Sequence, residues 1–139
     1  MADRAHLTGL VPLLQVYDMP RAWAFYRDRL GSELVARPPE VDTPEGRFSH
    51  WMWLRRDAVE VMLNTAYDTG ERPFEVDAAR WVGHGDVGLY MGCDDIDALH
   101  AELAASGIDV AAPAITPYGM RQMTFRDPDG YGICIQVPA

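Results

Sequence analysis

Cysteine is scarce: only Cys93 and Cys134 occur among 139 residues, each inside an apolar stretch and without the close spacing of a zinc or redox pair. This excludes a disulfide-stapled scaffold and leaves both thiols to act as small buried hydrophobes. Basic residues are few as well, 12 Lys and Arg against 21 Asp and Glu, for a formal net charge of -9. A surface of that sign repels phosphate backbones, so no nucleic-acid partner is expected, whereas cationic small molecules are attracted. No apolar run approaches the length of a bilayer crossing, and residues 1–6 lack the basic and apolar regions of a secretory leader. The expectation is a cytoplasmic protein without membrane contact. Nucleophile motifs are missing too, with no Gly-x-Ser-x-Gly elbow and no His-Glu-x-x-His pair.

What the chain does have is an internal echo. Val16 to Gly31 is answered by Cys93 to Gly107, each an apolar strand end, an acidic helix start and a glycine stop. Two copies of one small unit, neither able to bury a core alone, pack together and leave a cleft along the sheet surface. At 48% hydrophobic residues the chain fits one domain, 1–139, divided into module one at about 8–64, a connector at about 65–85 and module two at about 86–139.

Hydrophobic patterning fills in the modules. Leu10 to Tyr17 reads as a buried strand, Asp18 as a helix cap with Pro20 in the first turn, and Ala22, Phe25, Tyr26 and Leu30 as the apolar stripe of a helix. Glu33–Ala36 reads as a strand, Pro38 to Gly46 as a loop, and Phe48–Leu54 and Val59–Asn64 as strands joined by a tight turn. In the connector, Asp77 to Val82 suits one or two helical turns. The second copy follows as strand Val87–Cys93, helix Asp95–Ala105, short strand Ile108–Val110 and strands Met120–Arg126 and Tyr131–Val137.

Three segments then point to a family. The Arg126-Asp127-Pro128-Asp129-Gly130 turn before the last strand, Phe25-Tyr26 with Leu30-Gly31 ending the first helix, and Asp94-Asp95-Ile96-Asp97-Ala98 opening the second are similar to the glyoxalase, bleomycin-resistance and extradiol dioxygenase proteins, the vicinal oxygen chelate superfamily. Taken by itself, Asp-Pro-Asp-Gly is a strand reversal, with Pro128 fixing one φ and Gly130 free to take a positive one. The resemblance implies an α+β fold of two βαβββ modules, an open barrel-like cleft and a homodimer, paired or swapped. Such folds host isomerases, oxygenases and lyases as well as drug-binding proteins, so function is argued from the site.

Metal-dependent relatives carry one ligand on the first and one on the last strand of each module. By that resemblance the four positions here are Val11, Glu60, Gly88 and Cys134. Only Glu60 keeps a usual ligand, so no metal and no other cofactor is expected. A rearranged set of Glu60 and Cys134 with His50 or His84 is the metal-binding alternative. Otherwise His84 reads as a polar loop residue, His50 as a strand histidine with a hydrogen-bond partner, and His6 and His100 as exposed.

Without a metal, the cleft is lined by apolar and aromatic groups with a few polar ones. Candidate ligand-binding residues are Glu60, Asn64, Trp51, Trp53, Tyr90, His50, Gln15 and Gln136. Period-two alternation sends Trp51 and Trp53 to one face and His50, Met52 and Leu54 to the other, and leaves open which face meets the cleft. Such a surface suits a planar, partly cationic ligand stacked on an aromatic ring and paired with a carboxylate. The leading expectation is thus a metal-independent binding protein resembling bleomycin-resistance proteins, sequestering a cationic or aromatic drug in a homodimer cleft. The alternatives are a glyoxalase-like lyase, isomerase or dioxygenase with Glu60 as base and Tyr90 or His50 as acid, or an interaction protein with a vestigial cleft.

Overall fold

The computed structural model describes residues 3–139; Met1 and Ala2, which open the segment read as lacking a leader, lie outside the described residues. Strand β1 (Leu13–Val16) leads to helix α1 (Met19–Ala24), which continues as a π-helical turn at Phe25–Arg29. Strands β2 (Glu33–Ala36), β3 (Val41–Thr43), β4 (Gly46–Phe48), β5 (Trp51–Arg56) and β6 (Val59–Thr65) follow. After a short helix α2 (Ala78–His84) the order returns as β7 (Gly88–Gly92), α3 (Ile96–Ser106), β8 (Ala114–Ile115), β9 (Met120–Arg126) and β10 (Gly132–Pro138).

Two four-stranded sheets result, ordered β1-β6-β5-β2 and β7-β10-β9-β8. In each, the first strand runs parallel to the last, and the intervening strands are antiparallel. The α+β class and the doubled βαβββ order are those implied by the resemblance, and the two sheets share no strand pairing.

Local chemistry accounts for the helix ends. The Asp18 side chain accepts from the Arg21 N–H at 3.2 Å, and Asp95 does the same for Ala98 at 3.0 Å, so each helix starts on a carboxylate cap. Gly107, at φ 99°, closes α3 in the left-handed conformation that glycine adopts without a Cβ penalty. From this turn Ile108 dives into the core, its N–H bonded to the Leu103 carbonyl at 3.1 Å.

Alternation along the strands sorts the rest. Leu14, Val16, Met52, Leu54, Val61 and Leu63 are buried on the side that receives Ala22 and Tyr26 from the first helix; Met123, Phe125, Ile133 and Ile135 are buried with Ile96 and Leu103 of α3. All belong to one continuous cluster. At about 1.5–3 kcal/mol for each large apolar side chain buried, this shared interior holds the two halves together. The opposite face of each sheet is therefore turned outward. Among the described residues no helix is long and apolar enough to cross a membrane.

Three expectations are corrected. The segment 38–46, read as loop, contains most of the β3–β4 hairpin, tightened by the Thr43 hydroxyl bonded to the Gly46 carbonyl at 2.7 Å. The apolar run from Phe48 is broken at Ser49 and His50, because the buried Ser49 hydroxyl bonds the Pro38 carbonyl at 2.6 Å and leaves the ladder. Ile108 to Val110 is not a strand: Ile108 is used for packing, and pairing with β9 begins at Ala114.

Candidate ligand-binding face

Register sets out the outer face of the first sheet row by row. Gln15, Asn64 and Trp51 are cross-strand neighbours, Leu13, Met62 and Trp53 form the next row, and Glu60 stands opposite Arg55. Met52 and Leu54 take the buried side, which assigns the half-buried Trp51 and Trp53 to this outer face. Leu13 remains 47% exposed. Asn64 Nδ2 donates to the Thr65 carbonyl at 3.0 Å and to Gln15 Oε1 at 3.4 Å, which fixes the amide between two strands. Trp53 Nε1 is buried with no acceptor among the described residues, an orphan N–H on the same face. Arg55, not among the sequence-derived candidates, shares the face with Glu60 without forming an ion pair; only the strand register reveals that it sits there.

On the second sheet the outer face carries Tyr90 beside Cys134, and Gln136 beside Gln122. Gly88 and Gly92 leave the strand bare on either side of Tyr90, whose ring lies over Gly88 and is 63% exposed. Gln122 Nε2 donates to Gln136 Oε1 at 2.9 Å and its own carbonyl oxygen accepts the Tyr118 hydroxyl at 3.0 Å. Cys134 is buried, and burial holds its thiol above the usual range, in keeping with an inert hydrophobe.

The candidates thus fall into two groups: Gln15, Trp51, Trp53, Glu60 and Asn64 on one sheet, Tyr90 and Gln136 on the other. His50 joins neither. Its Nδ1 lies 2.6 Å from the Thr65 hydroxyl and its Nε2 2.9 Å from that of Thr69, so both ring nitrogens are engaged. His84, read as a loop residue, ends α2; its ring stacks on Tyr131 at 4.0 Å and its Nδ1 lies 2.7 Å from the Asp129 carbonyl. His100 is half-buried rather than exposed, with Nε2 at 3.2 Å from the Val110 carbonyl.

The positions that hold a metal in related enzymes do not form a ligand set here. Val11 and Gly88 offer no side-chain donor, which leaves only Glu60 and Cys134 of the four positions. Among the described residues no three His, Cys, Asp or Glu side chains converge, so the alternative set with His50 or His84 is not assembled either.

A polar junction behind the first sheet positions β1. The Gln15 N–H donates to the Tyr131 hydroxyl at 2.9 Å, and the Tyr17 N–H to an Asp129 carboxylate oxygen at 2.8 Å. Asp127, 3% exposed, accepts the Tyr26 hydroxyl at 2.7 Å and the N–H groups of Asp129 and Tyr131, both at 2.9 Å. Burial pushes both carboxyls up, Asp129 to about 6, and raises the Tyr26 phenol well above its ordinary value. The Asp-Pro-Asp-Gly turn is therefore more than a reversal, since it fastens the strand that carries Gln15.

A doubled βαβββ chain with two outward sheet faces and one shared core defines a protein of the paired-module type. The model of the glyoxalase/bleomycin resistance protein/dioxygenase superfamily matches residues 5–135, and the chain belongs to that superfamily. TnmS3, an antibiotic-binding protein from Streptomyces sp. CB03234, is 27% identical over 98% of this chain and 100% of its own, with a TM-score of 0.66. A glyoxalase/bleomycin resistance protein from the same strain is 28% identical over 91% of this chain and 97% of its own, with a TM-score of 0.60. A bleomycin-binding protein complexed with bleomycin is similar in fold, with 20% identity, coverage of 96% and 100% and a TM-score of 0.69. No curated protein matches the chain.

Proposed function

We propose that this chain is a cytoplasmic, metal-independent binding protein for a small cationic or aromatic molecule, held in a cleft that two copies build together as a homodimer. The observation that carries this reading is the outer face of the first sheet, where Trp51 and Trp53 stand in line with Leu13 and Met62, flanked by the Glu60 carboxylate and the Gln15 and Asn64 amides. An aromatic floor with one acidic group and a few fixed amides is the composition that stacks and neutralises an aromatic cation. The antibiotic-binding and bleomycin-binding relatives support the same class of ligand.

Exposed side chains on the outer faces support the homodimer reading. Both helix-bearing sides are used up in the common core, while Leu13 and Tyr90 on the outer faces remain 47% and 63% exposed. A second copy, presenting its Tyr90 and Gln136 face, supplies the missing wall. The extended segment before β1, with Leu7 fully exposed and Leu10 87% exposed, adds apolar surface for the same contact.

The test is a fluorescence titration with bleomycin and a panel of planar aromatic cations, run with sedimentation velocity on the same samples. Saturable quenching of tryptophan in a dimer, weakened tenfold or more by Glu60→Gln and by Trp51→Ala and unaffected by chelator, is the expected result. A monomer at micromolar concentration, unchanged affinity in both variants, or one tightly held divalent ion per chain would overturn the reading.

A further inference from the structure

The two halves repeat, so their junctions come in pairs, and the members of one pair differ. At the first junction the β9–β10 turn reaches across to the start of α1: Asp129 takes the Tyr17 N–H, and the Tyr131 hydroxyl takes that of Gln15. Helix α2 lies over this turn, with the Trp81 carbonyl against Gly130. The space is filled.

At the second junction the same elements in the other half leave a void. The β5–β6 turn has only two residues, Asp57 and Ala58, between the paired Arg56 and Val59. Neither turn residue is aromatic, so nothing here does what Tyr131 does at the first junction. No side chain of this turn hydrogen-bonds the β7–α3 connection at Cys93 to Asp95. What remains is a cavity of about 430 Å³, the size that small-molecule sites occupy. Its floor is apolar, with Leu54, Val61, Leu99, Ile135 and the buried Tyr26 ring. One wall is the Arg56–Glu102 pair, closed on itself by two hydrogen bonds of 2.8 and 2.9 Å. Arg56 also lies 3.8 Å from the Asp57 carboxylate, so one guanidinium faces Glu102, Asp57, Asp94 and the α3 cap Asp95, and the lining is net negative.

From the unfilled junction and the sign of its rim we propose that this cavity is a second ligand site, separate from the outer sheet faces, which takes an amphiphilic cation. The apolar chain of such a ligand lies against Leu54, Val61 and Ile135, and its ammonium group stays at the mouth between Asp57 and Asp94. No tryptophan lines the cavity, so the site selects a flexible apolar body rather than a stacked planar one. Cys93 is part of the wall, its thiol held up by burial and by the neighbouring Asp94 carboxylate.

The experiment is calorimetric titration of the full chain with decyltrimethylammonium below its micellar concentration, with decanoate as the chain-matched anion. One saturable site per chain is expected, with decanoate at least tenfold weaker. Asp57→Asn with Asp94→Asn should weaken the cation about fivefold and abolish its preference over decanoate, since both groups are partly screened by solvent. Val59→Tyr, which puts an aromatic ring into the cavity from its wall, should remove binding, and Ala98→Phe fills the same space if Val59→Tyr does not fold. Slower alkylation of Cys93 in the presence of the cation locates the site. Trp51→Ala should leave this affinity unchanged, which separates the result from the sheet-face reading. The proposal is overturned if no saturable binding is seen, if decanoate binds equally, or if a folded filling variant binds as before. It is also overturned if Trp51→Ala removes binding, or if binding appears only after residues 3–11 are deleted, which would assign the cavity to that segment.

Discussion

The Tyr26 hydroxyl donates to the Asp127 carboxylate at 2.7 Å, joining the first helix to the last β-turn across the boundary of the two halves. Both groups are buried, and the same carboxylate accepts two backbone N–H groups. Removing one partner leaves a buried acceptor short of a hydrogen bond. Tyr26→Phe should lower stability by about 1–3 kcal/mol without a change of fold, measured by urea unfolding and far-ultraviolet circular dichroism.

Asp129 gives the junction a pH dependence. Its folded-state pKa is about 6, above the ordinary carboxyl value because burial and the neighbouring Asp127 outweigh the Tyr17 N–H that favours the charged form. A carboxyl raised on folding contributes stability that is full below its unfolded pKa and lost as pH rises through the folded one. The stability difference between wild type and Asp129→Asn should therefore shift in the variant's favour from about pH 4 to pH 6.5. Thermal melts of both proteins across that range check it, and parallel curves would count against the assignment.

Gly130 sits at φ 88°, and a Cβ there would collide with the Trp81 carbonyl oxygen. The neighbour is backbone and cannot swing aside. Gly130→Ala should cost about 2–4 kcal/mol from left-handed strain and the displaced α2, read as a lower melting temperature.

Two residues three apart on β5 should separate packing from binding. Leu54 is fully buried, so Leu54→Ala should destabilise by about 2–5 kcal/mol. Trp51→Ala, on the outer face, should destabilise by clearly less while abolishing the tryptophan-linked response to an aromatic cation. Equal loss of stability in both would return Trp51 to the core.

The repeat, the helix caps and most strands were legible because they rest on local chemistry: Asp18 and Asp95 cap whatever follows them, and Glu33–Ala36 and Met120–Arg126 fall where the residue pattern puts them. The outer face was half legible. Alternation paired Trp51 with Trp53, but the choice of side depends on where α1 packs, which is a tertiary fact. Arg55 opposite Glu60, and Gln122 beside Gln136, depend on the exact hairpin register, which the residue pattern alone did not fix. Ile108 to Val110 misled because two β-branched residues alternating with a polar one after a glycine stop read as a strand whether they pair or pack. His84 looked like a loop residue because two glycines flank it, although its ring is held by Tyr131, 47 positions away in the chain.

The bonds that fasten β1 also seal it. β1 is the outermost strand of its sheet, and its outward N–H groups at Gln15 and Tyr17 are taken by Tyr131 and Asp129. The Gln15 carbonyl accepts the Tyr131 hydroxyl at 3.3 Å and the Tyr17 carbonyl accepts Arg72 at 3.3 Å. Among the described residues only Leu13 keeps its outward backbone groups unpaired along this edge, which leaves little template for another strand. Edge-to-edge pairing at β1 is therefore disfavoured, and the broad outer side of the first sheet is the surface it leaves open.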